Sequence, residues 1–196
     1  MRKLSIAFII FGSLAVIACL MYFGRANPFA GEVPAKDPSA GGEADISNQK
    51  NMMRITSNLF RNNGYFPIDC TCDGKEFTPP LEFHDVPDGA KSLALILRDP
   101  DAPSGQFYHW VVWNIDPGTK TLDADSVPKG ATQGLTSDMT NFYIGPCPPS
   151  GTHNYYFDLY ALDTVLTLPE ATNAPQLKAA MQGHILEQAE LTAKYR

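Results

Sequence analysis

The amino-acid sequence predicts a mainly β fold, a β-sandwich with one helix near the C-terminus, preceded by an N-terminal membrane-anchor helix. Three observations support this prediction. Short apolar or alternating segments are separated by connections rich in proline and glycine, which is typical of strands joined by turns. Apolar residues recur at near-helical spacing towards the C-terminus, and the start of the chain contains a long uncharged segment.

The N-terminal prediction rests on Leu4–Phe23, 20 uncharged residues that follow Arg2 and Lys3. At about 1.5 Å per residue, a helix of this length spans roughly 30 Å, the hydrocarbon thickness of a bilayer. Residues 1–24 are therefore interpreted first as a signal-anchor helix. A cleaved signal peptide is the second interpretation, a lipoprotein signal with Cys19 lipidated is the third, and a buried core helix is the least favoured.

Each export interpretation places the rest of the chain outside the cytoplasm. It would then be anchored on the outer side of the cytoplasmic membrane, in the periplasm or an equivalent compartment, or be secreted or lipid-linked there. Two positive charges before the uncharged segment, against Arg25 alone close behind it, agree with this orientation. Residues 25–50 contain three prolines and three glycines, which predicts a flexible linker. The folded domain is therefore predicted to span residues 51–196.

Four strands are predicted in the folded domain from its apolar, β-branched and aromatic segments. They are Met52–Leu59, Ser92–Leu97, His109–Ile115 and Tyr155–Leu162. The last of these alternates between two faces. One face is expected to carry Tyr156, Asp158 and Tyr160, and the other Tyr155, Phe157, Leu159 and Ala161.

A helix is predicted over Ala174–Tyr195. Leu177, Met181 and Ile185 follow one another at intervals of four residues, which places them on one helical face. Pro175 suits the first turn, where its missing N–H would have no partner. We expect this helix to pack on or beside the sheets.

The charge of the chain excludes one class of partner. Net charge is −6 overall, and residues 51–196 carry 10 Lys and Arg against 17 Asp and Glu. Nucleic-acid binding requires a basic face for the phosphates, so no nucleic-acid partner is expected. Any anion must instead be bound by a local arrangement of donors.

Three segments place polar groups where a predicted strand begins or ends. Asp99–Pro103 is interpreted first as a rigid turn, because Pro restricts the backbone and Asp accepts from nearby amides, and second as a pocket wall. His109 is either a structural histidine or a ligand-binding one. In Gly145–Tyr155, His153 and Tyr155 lie two residues apart and face the same side. They either hold a polar group together or belong to an aromatic core strand.

These segments together resemble a known family. The motifs DPDAP, HWVVWN and GPCPPSGTHNYYFDLYALD are similar to those of the phosphatidylethanolamine-binding protein family, and especially of its bacterial Raf kinase inhibitor-like branch. The resemblance covers residues 52–196. It implies a sandwich of two antiparallel sheets with a C-terminal helix, and a small surface pocket for an anion such as phosphate or a phospholipid headgroup. No cofactor is expected.

The resemblance also implies which residues bind the ligand. They are Asp99, Asp101, Pro103, His109, Pro149, His153 and Tyr155. The two histidines and the tyrosine are expected to donate to the oxyanion, and more strongly when the imidazoles are protonated. The aspartates are expected to orient a histidine and hold up its pKa, or to bind a headgroup ammonium. Anion affinity is therefore expected to rise below about pH 6.5.

Two further expectations follow from the same resemblance. His84 stands where many relatives have a different motif, and it is interpreted as an exposed loop residue rather than a site residue. A disulfide is implied between Cys72 and Cys147, which leaves Cys70 free and suits an exported protein.

The expected function is a non-catalytic module that binds an anion or phospholipid headgroup and has a possible regulatory or inhibitory action on an unidentified protein partner. A hydrolase using the Asp and His groups is one alternative, although the chain has no G-x-S-x-G motif. The other is a metal-dependent enzyme with Zn²⁺ or Mn²⁺ on Asp99, Asp101, His109 and His153.

Overall fold

The computed structural model describes residues 51–196, which contain nine strands and one α-helix. The strands are β1 (Arg54–Thr56), β2 (Gly64–Tyr65), β3 (Leu81–His84), β4 (Ser92–Asp99), β5 (Phe107–Ile115), β6 (Thr121–Leu122), β7 (Thr132–Gln133), β8 (His153–Leu162) and β9 (Ile185–Tyr195), and the helix is α1 (Ala174–Met181). The anchor and linker predictions concern residues 1–50, which lie outside the described residues. Within the described part, no helix has both the length and the apolar character needed to cross a bilayer.

The strands form two sheets, in the order β1-β3-β6 and β2-β9-β8-β4-β5-β7. Neighbouring named strands are antiparallel except β2 and β9, which run parallel. The predicted antiparallel arrangement is therefore confirmed with one exception. The exception is short, since it joins only Gly64 and Tyr65 to the end of β9.

The main core lies between the two sheets, and the alternation of β4 explains how the sequence builds it. Leu95 and Leu97 point into this core, which they share with Phe83 of β3. Ile96 between them points to the other face of the sheet, where it belongs to a second apolar cluster with Leu177 of α1. The six-stranded sheet is thus covered on both faces, which accounts for the continuous apolar run of β4.

The two faces predicted for the strand at Tyr155–Leu162 are confirmed. Phe157 and Leu159 of β8 lie in the core between the sheets, whereas Tyr160 lies in the second cluster near α1. The predicted strand at Met52–Leu59 is reduced to β1, and each of the other three is two residues longer than predicted.

The predicted C-terminal helix is correct only in its first eight residues. Asn173 caps α1, because its side chain accepts from the backbone N–H of Gln176 while the Gln176 side chain accepts from the N–H of Asn173. Pro175 stands in the first turn as predicted. The helix ends at Met181, and Gly183, with φ of 81°, turns the chain back.

The rest of the predicted helix is β9, so the prediction over 185–195 is wrong. This strand pairs with β8 along its whole length. Ala189, Leu191 and Ala193 face the core at every second residue. The same apolar residues fit a period of two as well as a helical one, and pairing with β8 decides between them.

His84 is also placed differently from the prediction. It is the last residue of β3 rather than part of an exposed loop, and it is partly buried. Its Nε2 lies 2.8 Å from the hydroxyl of Thr56 on the neighbouring strand β1.

Candidate ligand-binding cavity

A cavity of about 280 Å³ lies at one end of the six-stranded sheet, where β4 ends and β5 and β8 begin. Six of the seven residues predicted to bind a ligand line it. They are Asp99, Pro103, His109, Pro149, His153 and Tyr155. The three segments selected from the sequence therefore converge in space. The volume is near the lower end for small-molecule sites and suits a small polar group.

His109 reaches the cavity because β5 is irregular at this point. Leu97 and Arg98 are adjacent on β4, but their partners on β5 are Trp110 and Tyr108, so His109 is the extra residue of a β-bulge. Trp110 lies in the core between the sheets, and strict alternation would turn His109 to the opposite face. The bulge instead directs its ring into the cavity.

Asp99 and His153 form a buried pair within the lining. Asp99 Oδ2 lies 2.7 Å from His153 Nδ1, and the two residues are 3% and 7% exposed. The carboxylate accepts, so Nδ1 carries the hydrogen and Nε2 is the remaining nitrogen of the ring. Asp99 Oδ1 also accepts from the backbone N–H of Asp101 at 2.8 Å, which holds the turn after β4. Asp99 therefore fixes the orientation of the His153 ring.

His109 is held by the backbone instead of by a carboxylate. Its Nδ1 lies 3.0 Å from the carbonyl oxygen of Ile144, and a carbonyl only accepts, so Nδ1 carries the hydrogen. Burial lowers the pKa of His109 to about 4. The expected donation from a protonated His109 to an anion would therefore require a pH well below 6.5. At neutral pH its Nε2 is a hydrogen-bond acceptor.

Tyr155 has a free hydroxyl inside the protein. The residue is 0% exposed, and its hydroxyl has no hydrogen-bond partner among the described residues. Burial, then the negative charges of Asp99 and Asp101, and then the closeness of the Asp99 carboxylate to the hydroxyl raise the pKa of the phenol well above its ordinary value. The hydroxyl therefore keeps its proton and can donate a hydrogen bond to a guest in the cavity.

Asp101 is not among the lining residues, contrary to the prediction. Its Oδ2 accepts from the backbone N–H of Asn154 at 2.8 Å and from the side-chain amide of Asn154 at 2.7 Å. These bonds lower the pKa of Asp101. The carboxylate therefore ties the turn after β4 to the start of β8, and it acts on the shape of the cavity rather than on a guest.

The wall contributed by the third segment is fastened to the chain near residue 72. The disulfide between Cys72 and Cys147 is present, with Cα atoms 5.5 Å apart, and Cys147 lines the cavity. Cys70 is free and buried, and burial raises the pKa of its thiol to about 11. Gly145 lies so close to Thr71 that a Cβ at Gly145 would come within 2.9 Å of the Thr71 backbone.

Sequence reasoning missed part of the lining. Phe107 lies next to His109, with the two rings tilted and their centroids 4.6 Å apart, and its place two residues before His109 is a usable signal. Asp138 and Ile144 also line the cavity, but both come from the loop between β7 and β8. No motif or periodicity marks the part of that loop before Gly145, where both residues lie.

The residues considered for a metal site are engaged elsewhere. Asp101 bonds to Asn154, and the Asp99–His153 pair and the Nδ1 of His109 have the partners given above. Within residues 51–196, no group of three or more His, Cys, Asp and Glu side chains is arranged to hold a metal ion.

Comparison with known proteins gives the same fold and the family. The family model described as phosphatidylethanolamine-binding protein matches residues 56–196. A UPF0098 protein of Methanothermobacter thermautotrophicus is 46% identical over 149 residues, which are 74% of this chain and 99% of that protein. A UPF0098 protein of Chlamydia trachomatis is 43% identical over 148 residues, 73% of this chain and 98% of that protein.

Two solved structures are also similar. A putative phosphatidylethanolamine-binding protein homologue from Chlamydia trachomatis has a TM-score of 0.72 and 42% identity, over 74% of this chain and 98% of that one. YbcL of E. coli, described as a new member of the mammalian family, has a TM-score of 0.70 and 27% identity, over 74% and 99%. The chain belongs to the phosphatidylethanolamine-binding protein family, as the sequence motifs indicated.

Proposed function

We propose that this protein is a non-catalytic module that binds a small phosphate-type oxyanion, free or as a lipid headgroup, on the outer side of the cytoplasmic membrane. The observation that carries the proposal is made on Tyr155, which lines the cavity and whose buried hydroxyl has no hydrogen-bond partner among the described residues. A buried polar atom left unpaired costs about 1–3 kcal/mol. A ligand oxygen in the cavity would remove that cost.

The other lining groups support an oxyanion as the guest. His153 presents Nε2 opposite the nitrogen that donates to Asp99, and when protonated it can donate to an anion while the carboxylate balances its charge. Apart from Asp99 and Asp138, the cavity wall is formed largely by residues without charge, including Pro148 and Pro149. Such a wall keeps water away from the few donors and strengthens their bonds to an anion.

The absence of catalysis is proposed from the same geometry. A serine, Ser104, lines the cavity and could in principle act as a hydroxyl nucleophile. In the described structure, however, its side chain makes no hydrogen bond to His109 or His153. An activated serine requires such a contact with its base. A regulatory or inhibitory action on another protein stays a prediction from the family resemblance.

The location on the outer side of the cytoplasmic membrane is proposed from the sequence. An uncharged segment at Leu4–Phe23 and a Pro- and Gly-containing linker precede the domain. The disulfide agrees with an oxidising compartment.

Calorimetric titration with inorganic phosphate tests the binding proposal. At pH 6 we expect the full-length protein to bind phosphate, and Tyr155→Phe to bind about tenfold more weakly, because one donor to the anion is lost. Tyr160→Phe is the matched control, since this buried tyrosine lies on the other face of β8 and its hydroxyl is near Asp158. Failure of the unmodified protein to bind any phosphate compound would refute the proposal.

A further inference from the structure

The cavity offers an acceptor where a simple anion site would offer a donor. The Ile144 carbonyl fixes the hydrogen of His109 on Nδ1, at 3.0 Å, so the ring presents the lone pair of Nε2. The low pKa of His109 keeps that nitrogen unprotonated at neutral pH. A guest oxygen that faces Nε2 forms a good contact only if the oxygen carries a hydrogen.

The charges around His109 act in the same direction. The titratable groups that face it come from β4, from β8 and from the loop between β7 and β8, namely Asp99, His153, Tyr155 and Asp138. Two of these four are carboxylates, and Asp99 shares its charge with His153 whereas Asp138 has no ion-pair partner among the described residues. Carboxylates so close repel a doubly charged phosphate more than a singly charged one.

We infer that the cavity selects an oxyanion that retains a proton, as a phosphomonoester or free phosphate does in its singly charged form, over a phosphodiester. This inference rests on the proposed function, and it names the ligand class of that same site. The P–OH of the guest donates to His109 Nε2, and an unprotonated phosphoryl oxygen accepts from the hydroxyl of Tyr155. A phosphodiester has no P–OH, so its oxygen would face the Nε2 lone pair.

The structure thereby explains why two carboxylates stand at an anion site. Sites built to bond a ligand hydroxyl reject analogues that lack it, because the buried acceptor is left unpaired. His109 is accordingly a specificity-determining residue, and Asp99 is a positioning residue for His153. The β-bulge that turns His109 into the cavity is the local feature on which this selectivity depends.

Ligands that differ in whether they carry a P–OH group, and in the pKa of that group, test the inference on the unmodified protein. We expect methyl phosphate to bind the full-length protein at pH 5.5 at least about tenfold more tightly than dimethyl phosphate or glycerophosphoethanolamine, which are both diesters. Its affinity should fall towards tenfold per pH unit above about pH 6, where a phosphomonoester loses its second proton. Methylphosphonate, which holds that proton more tightly, should show the same fall at higher pH. The midpoint then follows the ligand and not the protein.

A substitution at His109 provides a second test of the inference. In His109→Asn the amide nitrogen replaces Nδ1 and can still donate to Ile144, whereas the acceptor Nε2 is removed. We expect the preference for methyl phosphate over dimethyl phosphate to collapse to within about threefold. His184→Asn is the matched control, because His184 is exposed and bonds to Asp163 outside the cavity, and it should keep the full preference.

The outcomes separate the inference from the function. Diesters that bind within threefold of methyl phosphate, or a pH midpoint shared by methyl phosphate and methylphosphonate, would overturn the inference and leave the oxyanion site intact. No binding by any of the four compounds would overturn both. If His109→Asn does not fold, as judged by thermal unfolding, the pH series on the unmodified chain still decides.

Discussion

Two groups of polar side chains, each built around a buried residue, lie on opposite faces of the six-stranded sheet, and they differ in how completely the buried groups are paired. On the face near α1, Arg98 donates to both oxygens of Asp158, at 2.7 and 3.2 Å, and to Glu190 at 3.0 Å. Lys178 of α1 lies 3.8 Å from Asp158. We call these four residues the ion-pair cluster. In the cavity on the other face, the Tyr155 hydroxyl has no partner among the described residues.

The difference separates polar groups that stabilise the fold from polar groups that are available to a ligand. Adjacent residues of one strand serve the two purposes, since Arg98 belongs to the ion-pair cluster and Asp99 lines the cavity. Paired buried charges leave no group free to bind a guest. Buried atoms left unpaired, such as the Tyr155 hydroxyl, reduce stability, and this cost is removed only when a ligand is bound.

The largest expected effect comes from breaking the ion-pair cluster. Arg98→Leu leaves Asp158, which is 1% exposed, with the more distant Lys178 as its one cationic partner among the described residues, beside the Tyr160 hydroxyl at 3.5 Å. We expect a loss of about 3 kcal/mol in the free energy of unfolding, because an uncompensated buried charge remains. Urea unfolding at pH 7 measures it. Arg54→Leu is the control, since the Arg54–Asp85 pair is largely exposed and should cost under about 1 kcal/mol. Equal losses in the two variants would show that burial does not distinguish the pairs.

The pH dependence of stability tests the cavity side of the comparison, through His109. His109 has a pKa of about 4 in the folded protein against 6.5 ordinarily, so the unfolded chain takes up its proton first as pH falls. The contribution of His109 to the free energy of unfolding is fully present above about pH 6.5 and is lost as the pH falls towards 4. We expect a loss of about 2 kcal/mol between pH 7 and pH 5.

Urea unfolding at a series of pH values measures this loss. His109→Asn, which has no titratable ring, should remove most of the slope between pH 7 and pH 5. The same slope in the variant and the unmodified protein would mean that other groups cause it. Asp101, whose pKa is lowered from 3.8, contributes in the same sense but only below that range.

The sequence was sufficient where residues alternate regularly and where motifs are local. The two faces of β8 follow from alternation alone, and the segments around Asp99, His109 and His153 were correctly brought together by family resemblance. The antiparallel sheets and the disulfide followed in the same way.

The remaining features depend on contacts between distant parts of the chain. The apolar spacing in β9 fits a helix as well as a strand, and only pairing with β8 excludes the helix. The bulge that turns His109 requires the register between β4 and β5. The acceptor role of His109 requires the carbonyl of Ile144, 35 residues away, and no sequence pattern connects the two.

The smallest effects on the free energy of unfolding are expected from removing either of two buried tyrosine hydroxyls, one of which is hydrogen-bonded and one of which is not. Tyr143 donates to the carbonyl of Cys70 at 2.6 Å, whereas the Tyr155 hydroxyl has no partner in the described structure. Tyr143→Phe leaves a buried carbonyl with one partner fewer, and we expect it to cost about 1 kcal/mol. Tyr155→Phe removes a desolvated hydroxyl that bonds to nothing, so stability should be unchanged or higher by up to about 1 kcal/mol.

Thermal and urea unfolding of both variants without phosphate would measure this difference, and adding phosphate should change it. Only a protein that retains the Tyr155 hydroxyl should gain the full ligand stabilisation, because binding to the folded state alone raises the free energy of unfolding. If Tyr155→Phe costs as much as Tyr143→Phe in the absence of ligand, the Tyr155 hydroxyl is already paired in the free protein. The contrast between the cavity and the ion-pair cluster would then rest on His109 Nε2 alone.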